Sequence, residues 1–293
     1  MKLFSSIQSY LSLVKFSHSL FALPFALIGF FIAIHKNNVD GLHYDKLLFI
    51  LICMITARNS AMAFNRWADR LIDSRNKRTA LREIPSGQIN SKSALIFILI
   101  NVIGFILSAY CINRLCFYLS PIALFIILGY SYTKRFSWLC HVFLGLGLSL
   151  APIGAYLAVS STFDLLPLLY GVAVVSWVAG FDVLYALQDI EFDQQEKLQS
   201  IPSRFGIKKA LWISVCFHIL CALAILSCGY LLHQQFGLNY WMGLGTLGFI
   251  GLLIYQHQII SEDNLERINL AFFTTNGIAS IFLAVCTILD FYW

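Results

Sequence analysis

The stretch NRWADRLIDSRNKRTALREIPS, from Asn65 to Ser86, is a polar interruption in an otherwise apolar chain. Of the 293 residues, 59% are hydrophobic and only 12% are charged, and the mean hydropathy is +0.75. This composition is typical of a polytopic helical membrane protein, because a soluble domain of this size needs a far more polar surface. Carboxylates and arginines that directly follow an apolar run indicate anion chemistry rather than contact with lipid.

Around this stretch lie about nine apolar segments, each near the roughly 20 residues that a helix needs to span the bilayer core. They are centred near residues 16–36, 46–64, 92–112, 115–132, 138–159, 165–187, 208–232, 239–257 and 268–289. We therefore predict an all-α, polytopic membrane protein in which residues 1–293 form a single transmembrane domain. No cleavable signal peptide is expected, because no small-residue cleavage site follows the first apolar run.

Lys and Arg are concentrated at the N-terminus, in the loop after residue 64 and around residues 134–135 and 197–209. The positive-inside rule places these regions, and hence the N-terminus, in the cytoplasm. The formal net charge of +5 is modest, and we predict no nucleic-acid partner. The eight cysteines form no CxxC pair, which favours free thiols that fill the core over disulfides or a metal site.

Two sets of polar residues follow the second and sixth apolar segments. The first set recurs every four residues and shares one helical face: Asn65, Asp69 and Asp73. The second, at i, i+7 and i+11, also falls on a common face: Asp182, Asp189 and Asp193. Oxygen ligands without His or Cys alongside favour Mg²⁺ over zinc, and Mg²⁺ keeps positions for water and phosphate oxygens. We therefore predict a magnesium site that binds a phosphate ester.

Basic residues beside these acidic faces have the charge that a diphosphate leaving group requires. The candidates are Arg78, Arg82, Lys134 and Arg135. The alternative is that they are ordinary positive-inside charges paired with nearby acids.

Two charged residues lie inside apolar segments, where ionisable side chains mark functional sites. Asp182 precedes Tyr185 and is expected to line a cavity; a neutral acid bonded to a neighbouring tyrosine is the alternative. Arg58 lies two helical turns deeper than Asn65. It has two possible partners, a carboxylate on an acceptor molecule or Asp182, and the sequence does not separate them.

Several stretches, in order along the chain, resemble motifs of the UbiA family of membrane aromatic prenyltransferases. NRWADRLID (65–73) resembles NDxxDxxxD, RTALREIPSG (78–87) resembles RTxxRPxPxG, and DVLYALQDIEFD (182–193) resembles the second aspartate motif. Further matches are LFALPFALIG (20–29), YSYTKR (130–135) and APIGAYLA (151–158).

The resemblance implies nine helices around a central cavity, with Mg²⁺ bridging both aspartate motifs to a polyprenyl diphosphate. Ionisation then gives an allylic carbocation, which an aromatic ring attacks. The implied catalytic residues are Asp69, Asp73, Asp189 and Asp193, and Asn65 joins them as a metal ligand. The implied acceptor contacts are Arg58, Asp182 and Tyr185.

Two departures from the family pattern bear on the site. Arg66 replaces the second-position Asp of the first motif, which removes a metal ligand and adds a cation that we expect to pair with the diphosphate. Gln199 stands where relatives often have Lys, so Arg204 is expected to supply that charge.

Within the family, the chain resembles 4-hydroxybenzoate polyprenyltransferases most. This implies prenylation of an aromatic acid in ubiquinone-type quinone biosynthesis, in a bacterial inner membrane. The alternative acceptor is a dihydroxynaphthoate of menaquinone biosynthesis, because some relatives with AMAFNRxxDRxID serve that route. A membrane transporter is a distant alternative. A transporter would place its charged groups near the bilayer midplane, whereas nearly all the charged groups of this chain are expected at the cytoplasmic ends of the helices.

Overall fold

The computed structural model describes residues 10, 12–14, 21–37, 41, 43–238, 240–262, 265 and 267–293. Within these residues the fold is all-α, as predicted, and nine long helices coincide with the predicted apolar segments. In chain order they are α1 (Leu23–Lys36), α2 (Tyr44–Ala68), α3 (Ser91–Ile112), α4 (Arg114–Thr133), α5 (Cys140–Ser160), α6 (Leu165–Ala186), α7 (Ile201–Phe236), α8 (Tyr240–Ile259) and α9 (Asn276–Leu289). Shorter helical segments are Arg70–Asp73, Leu187–Asp189, Ile190–Gln195 and Leu270–Thr275.

Seven helical segments of the described chain are long and apolar enough to cross a membrane, compared with about nine predicted. α1 has only 14 residues, and residues 15–20 of the predicted first segment lie outside the described part. α8 has 20 residues, but its four glycines, together with Gln256 and His257, lower its hydropathy. Within the described residues, each predicted segment nonetheless contains a helix.

The start of α7 differs most from the prediction, since the helix begins at Ile201 rather than near residue 208. Ser200 and Ser203 form a capping box in which each side chain accepts a hydrogen bond from the other's backbone N–H. Pro202 in the first turn also favours a helix start. Gly206 then interrupts the helical backbone with φ of 79°, a value that favours glycine. Residues 188–207, which connect the sixth and seventh predicted segments, are therefore mostly helical.

The described chain divides into two compact units. The first contains residues 44–133, with α2, α3 and α4 packed against one another. Its small buried core includes Ala63 of α2, Ala94 and Ile98 of α3, and Ile84 from the intervening loop. The amide Nδ2 of Asn59 donates a hydrogen bond to Oδ1 of Asn101 over 3.0 Å, which joins α2 to α3 within the apolar region.

The second unit contains residues 20–43 and 134–293, and its six long helices pack in a cyclic order. α1 packs against α5, α5 against α6, α6 against α7, α7 against α8, α8 against α9, and α9 against α1. Gly145 allows α5 to approach α6 closely, since a Cβ there would lie 2.6 Å from the carbonyl oxygen of Val175. Close contact through small residues is the usual way in which helices pack in membranes.

Aromatic side chains fill the interior of this second unit. The ring centroids of Phe25 and Trp177 are 5.2 Å apart, and those of Trp177 and Phe249 are 5.9 Å apart. The indole N–H of Trp177 donates to Oδ1 of Asn276 over 2.8 Å, and Nε2 of Gln256 donates to the same oxygen over 2.6 Å. This buried network connects α6, α8 and α9. The eight cysteines are free thiols, but only Cys221, Cys228 and Cys286 are buried as predicted, whereas Cys111 and Cys216 are exposed.

Candidate active site

The first acidic segment lies at the end of α2. α2 ends at Ala68, but the backbone N–H of Asp69 still bonds to the carbonyl of Asn65 at 2.9 Å, and that of Asp73 bonds to the carbonyl of Asp69 at 2.7 Å. These two i to i+4 bonds span the turn at Asp69, where the helix is interrupted, and keep the three residues near the predicted helical spacing. Nδ2 of Asn65 donates to Oδ2 of Asp69 over 3.2 Å, so the amide oxygen of Asn65 remains available to a cation.

Asp73 is buried and held by Arg82, a predicted diphosphate ligand. Nη1 of Arg82 lies 2.9 Å from both carboxylate oxygens of Asp73. Thr79 secures the same turn by donating its hydroxyl to the carbonyl oxygen of Asp73 over 3.1 Å. The loop after α2 therefore folds back, so that Arg82 contacts Asp73 near the start of the loop. The proposed metal ligation by Asp73 and diphosphate binding by Arg82 remain predictions.

Arg66 has a partner that the sequence interpretation missed. Its Nη1 lies 2.6 Å from Oε2 of Glu83, and both side chains are buried, with 3% of Arg66 and 7% of Glu83 exposed. The hydroxyl of Ser12 donates to the other oxygen of Glu83 over 2.5 Å. Glu83 stands where the motif RTxxRPxPxG has its first proline, and this departure from the pattern is the sequence signal that identifies it.

The remaining predicted site residues of the first unit differ in exposure. Arg78 is exposed, and its backbone N–H bonds to Oδ1 of Asn76 at 2.9 Å. Arg58 is half-buried in α2, and its Nε is buried without a hydrogen-bond partner among the described residues. A buried guanidinium donor that lacks a partner suits the binding of an anionic group from a ligand.

The second acidic segment continues directly from α6. Asp193 is fully buried, and both its oxygens are held: Nζ of Lys134 lies 2.7 Å from Oδ1, and Oγ of Ser200 donates to Oδ2 over 3.0 Å. Burial lowers the pKa of Lys134, but the carboxylate of Asp193 outweighs this effect, so the net shift in the Lys134 pKa is upward. The lysine therefore stays charged at neutral pH. Asp189 is half-buried at the end of the 3₁₀ turn Leu187–Asp189.

Asp182 contacts a histidine that the sequence interpretation did not identify. Oδ2 of Asp182 lies 2.7 Å from Nδ1 of His141, a residue of α5 that is only 2% exposed. Nε2 of His141 accepts a hydrogen bond from the backbone N–H of Ile201 at 3.3 Å. The alternative expectation, that Asp182 bonds to a neighbouring tyrosine, is therefore wrong, because its partner is His141. A lone histidine near a helix N-terminus carries no sequence pattern that links it to an aspartate 41 residues away.

Three further predicted residues lie in the second unit. Tyr185 packs against Phe272 with ring centroids 4.2 Å apart. Arg204 is exposed, its guanidinium carbon is 5.8 Å from the centroid of the Trp138 ring, and it lines a cavity of about 370 Å³ that also reaches Asp193. Arg135 is exposed. The arginine at 204 therefore remains accessible to an anion.

The donor atoms of both segments fit a hard divalent cation. They are carboxylate and amide oxygens, which Mg²⁺ prefers. In the described part of the chain, no three His, Cys, Asp or Glu side chains come together as a ready-made metal cluster. Mg²⁺ is usually bound through one or two carboxylates and completes its shell with water and substrate phosphates.

The fold and these two segments together define the class of protein: an integral membrane enzyme with acidic segments at the ends of two helices. The chain belongs to the UbiA prenyltransferase family, whose family model matches residues 22–278 and so includes both segments. It is therefore a transferase of prenyl groups, and the alternative of a transporter no longer applies.

Relatives of similar length support this assignment. A 4-hydroxybenzoate octaprenyltransferase of Aliivibrio fischeri is 30% identical over 249 residues, which are 84% of this chain and 85% of the relative. A 4-hydroxybenzoate octaprenyltransferase of Nitrosospira multiformis is 28% identical over 84% of this chain and 83% of the relative.

Solved structures share the fold. A UbiA homologue of Aeropyrum pernix, solved without ligand, has a TM-score of 0.82 at 28% identity and covers 93% of this chain and 98% of its own. A UbiA homologue of Archaeoglobus fulgidus bound to GPP and Mg²⁺ has a TM-score of 0.75 at 17% identity, with 97% of this chain and 100% of that chain covered. The predicted UbiA-type fold is confirmed.

Proposed function

We propose that this protein transfers a polyprenyl group from a polyprenyl diphosphate to a ring carbon of 4-hydroxybenzoate, in ubiquinone-type quinone biosynthesis. The observation that carries the proposal is the similarity to 4-hydroxybenzoate octaprenyltransferases over 84% of the chain. The alternative acceptor is a dihydroxynaphthoate of menaquinone biosynthesis, which is also a phenolic aromatic acid. Residues 1–293 are proposed to act as one transmembrane domain.

The donor is proposed to bind with Mg²⁺ at the acidic segments. The proposed metal ligands are Asn65, Asp69, Asp73, Asp189 and Asp193, and the proposed diphosphate ligands are Arg78, Arg82, Lys134, Arg135 and Arg204. Arg66, expected from the sequence to join them, is instead buried against Glu83. When bound, Mg²⁺ neutralises diphosphate oxygens and so favours departure of the leaving group. The exposed arginines 78, 135 and 204 are the cations that a diphosphate reaches without breaking a buried ion pair.

The reaction follows from these charges. The C–O bond of the donor breaks heterolytically, and the diphosphate leaves with the electron pair. The allylic cation is attacked by the electron-rich ring carbon, which then loses its proton to restore aromaticity. Fixed cations that meet the developing negative charge lower the barrier, because they need no reorganisation during the reaction.

The proposed acceptor contacts are a cation, a carboxylate and an aromatic ring. Nε of Arg58 has no hydrogen-bond partner among the described residues and suits the acceptor carboxylate. Asp182 has one oxygen bonded to His141, while its other oxygen suits the phenolic hydroxyl. Tyr185, packed on Phe272, offers an aromatic face to the acceptor ring. The proposed location is the bacterial inner membrane, with the N-terminus and the acidic segments on the cytoplasmic side.

The deciding experiment supplies membranes containing the protein with a polyprenyl diphosphate, Mg²⁺ and either 4-hydroxybenzoate or a dihydroxynaphthoate. Mass spectrometry identifies the product. A prenylated 4-hydroxybenzoate supports the proposal, a prenylated naphthoate selects the alternative acceptor, and no product with either contradicts both.

Variants of the acidic segments test the site. Asp69→Asn and Asp189→Asn should each reduce the rate by roughly 100-fold or more, because each removes a charge from the proposed metal site. The matched control is Asp45→Asn, since Asp45 lies in the first turn at the opposite end of α2. Full activity of both site variants at normal protein abundance would exclude these residues from the site.

A further inference from the structure

His141 lies in a position that no motif of the sequence predicts. It is the second residue of α5 and is almost completely buried, yet both its ring nitrogens have hydrogen-bond partners. One partner, Asp182, lies on α6, and the other, the backbone N–H of Ile201, begins α7. A single imidazole therefore connects three helices next to the proposed acceptor site.

The contact with Ile201 fixes the tautomer of the ring. A backbone N–H is only a donor, so Nε2 of His141 must present its lone pair to it. In the neutral ring the proton is then on Nδ1, where it is donated to Oδ2 of Asp182 over 2.7 Å. Ile201 occupies the first helical position of α7, whose N–H has no partner within the helix, so the imidazole satisfies an otherwise unpaired donor.

The environment of Asp182 is asymmetric. Oδ2 is held by His141 from the buried side, whereas Oδ1 has no hydrogen-bond partner among the described residues. The Asp182 side chain retains 22% exposure, compared with 2% for His141. Because His141 holds Oδ2 from the buried side, the carboxylate presents Oδ1 as its one oriented and more accessible oxygen.

We infer that His141 is a positioning residue that orients Asp182, so that Oδ1 accepts the hydrogen bond of the acceptor's phenolic hydroxyl. This inference rests on the proposed function. A hydroxyl that donates to a carboxylate gains phenolate character, which increases the electron density at the ring carbons beside it. The carboxylate would thus both hold the acceptor and activate its ring toward the allylic cation.

Two substitutions separate the two contacts of the ring. In His141→Asn the amide nitrogen takes the place of Nδ1, which preserves donation to Asp182 and loses the contact with Ile201. In His141→Gln the amide oxygen takes the place of Nε2, which preserves the contact with Ile201 and loses the donor toward Asp182. We expect the Gln variant to raise the acceptor KM about tenfold, the scale of one hydrogen bond to a charged group. The Asn variant should stay within about twofold of wild type, and neither should change the KM for the diphosphate.

The measurement uses the full-length protein in detergent with 4-hydroxybenzoate and with a dihydroxynaphthoate. Acceptor affinity is also titrated without diphosphate or Mg²⁺, so that the readout does not depend on turnover. The inference is overturned if the Gln variant binds acceptor like wild type, or if the Asn variant loses as much affinity as the Gln variant.

A double variant tests whether His141 acts through Asp182. In an Asp182→Asn background, His141→Gln should add no further loss of acceptor affinity; an additive loss would contradict a positioning role. Failure of the proposed function gives a different result, because wild-type protein then forms no prenylated product with either acceptor. That result would also overturn the inference. Thermal unfolding of each variant identifies any that fails to fold, and the Asn and Gln pair gives two independent chances of a folded protein.

Discussion

The guanidinium of Arg66 and the carboxylate of Glu83 form a buried ion pair with 2.6 Å between Nη1 and Oε2. Arg66 is the position where the first motif departs from its family pattern, and Glu83 is a departure in the run that follows. The two departures therefore meet in space and cancel in charge. A carboxylate missing from α2 has a counterpart 17 residues further along the chain.

Removing one member of this pair should be strongly destabilising. Glu83→Ala leaves the Arg66 charge buried without its counterion, and loss of one partner of a buried pair costs about 3–5 kcal/mol. Thermal unfolding in detergent measures the loss. The double variant Arg66→Met/Glu83→Leu should be closer to wild type, because no uncompensated charge remains.

The pair between Lys36 and Asp164 provides the control. It is more exposed, with 34% of the Lys36 side chain and 19% of the Asp164 side chain accessible, so Lys36→Met should cost no more than about 1 kcal/mol. Equal losses for Glu83→Ala and Lys36→Met would show that burial does not set the cost.

Arg82 is expected to control how Asp73 is presented. Its Nη1 is equidistant from both oxygens of Asp73, at 2.9 Å, and a lysine ammonium is a point charge on a flexible stem that does not reproduce a guanidinium. Arg82→Lys should therefore raise the Mg²⁺ concentration for half-maximal prenyl transfer severalfold. Arg75→Lys, an exposed arginine of the same loop, is the control. An unchanged Mg²⁺ requirement in the Arg82 variant would separate Arg82 from metal binding.

The pair between Lys134 and Asp193 predicts a defined pH dependence of stability. The folded-state pKa of Lys134 lies above its ordinary value of 10.5, so the stabilisation from its charge is complete below pH 10.5 and is lost as the pH rises through the folded pKa. The difference in Tm between wild type and Lys134→Met should be constant from pH 6 to 9 and shrink only above about pH 10.5. A difference that shrinks between pH 7 and 9 would contradict the raised pKa.

Arg58 is expected to anchor the acceptor carboxylate. Arg58→Ala should raise the KM for the aromatic acid about tenfold and leave that for the diphosphate nearly unchanged, because its buried Nε lacks a partner in the described part of the protein. Steady-state kinetics with each substrate varied in turn makes the comparison. An equal effect on both KM values would contradict the acceptor role.

The helices were predictable because each apolar segment is long and lies between polar residues. The spacing of Asn65, Asp69 and Asp73 likewise specified a shared face, since i to i+4 geometry is local. The start of α7 was predicted about seven residues too far along the chain, near residue 208 instead of Ile201, because the hydropathy pattern does not show the Ser200–Ser203 capping box.

The partners of the charged side chains were not predictable, because they depend on contacts between distant parts of the chain. Glu83 reaches Arg66 through a folded loop, and His141 reaches Asp182 across two helices. Charge counting assigned Arg66 to an anionic substrate, since no local pattern shows that a carboxylate is available inside the protein. Side-chain pairing in a membrane protein of this kind therefore requires the tertiary structure.

Asn276 should be more important for stability than its position in an apolar helix indicates. Its Oδ1 accepts hydrogen bonds from both Trp177 and Gln256, so Asn276→Leu leaves two buried donors unpaired, at about 1–3 kcal/mol for each. Asn101→Leu is the matched control, because Oδ1 of Asn101 accepts only the bond from Asn59 among the described contacts. Thermal unfolding should show the loss for Asn276→Leu to be about twice that for Asn101→Leu. Equal losses would mean that Trp177 or Gln256 finds another partner, since a polar group in an apolar interior is costly only while it remains unpaired.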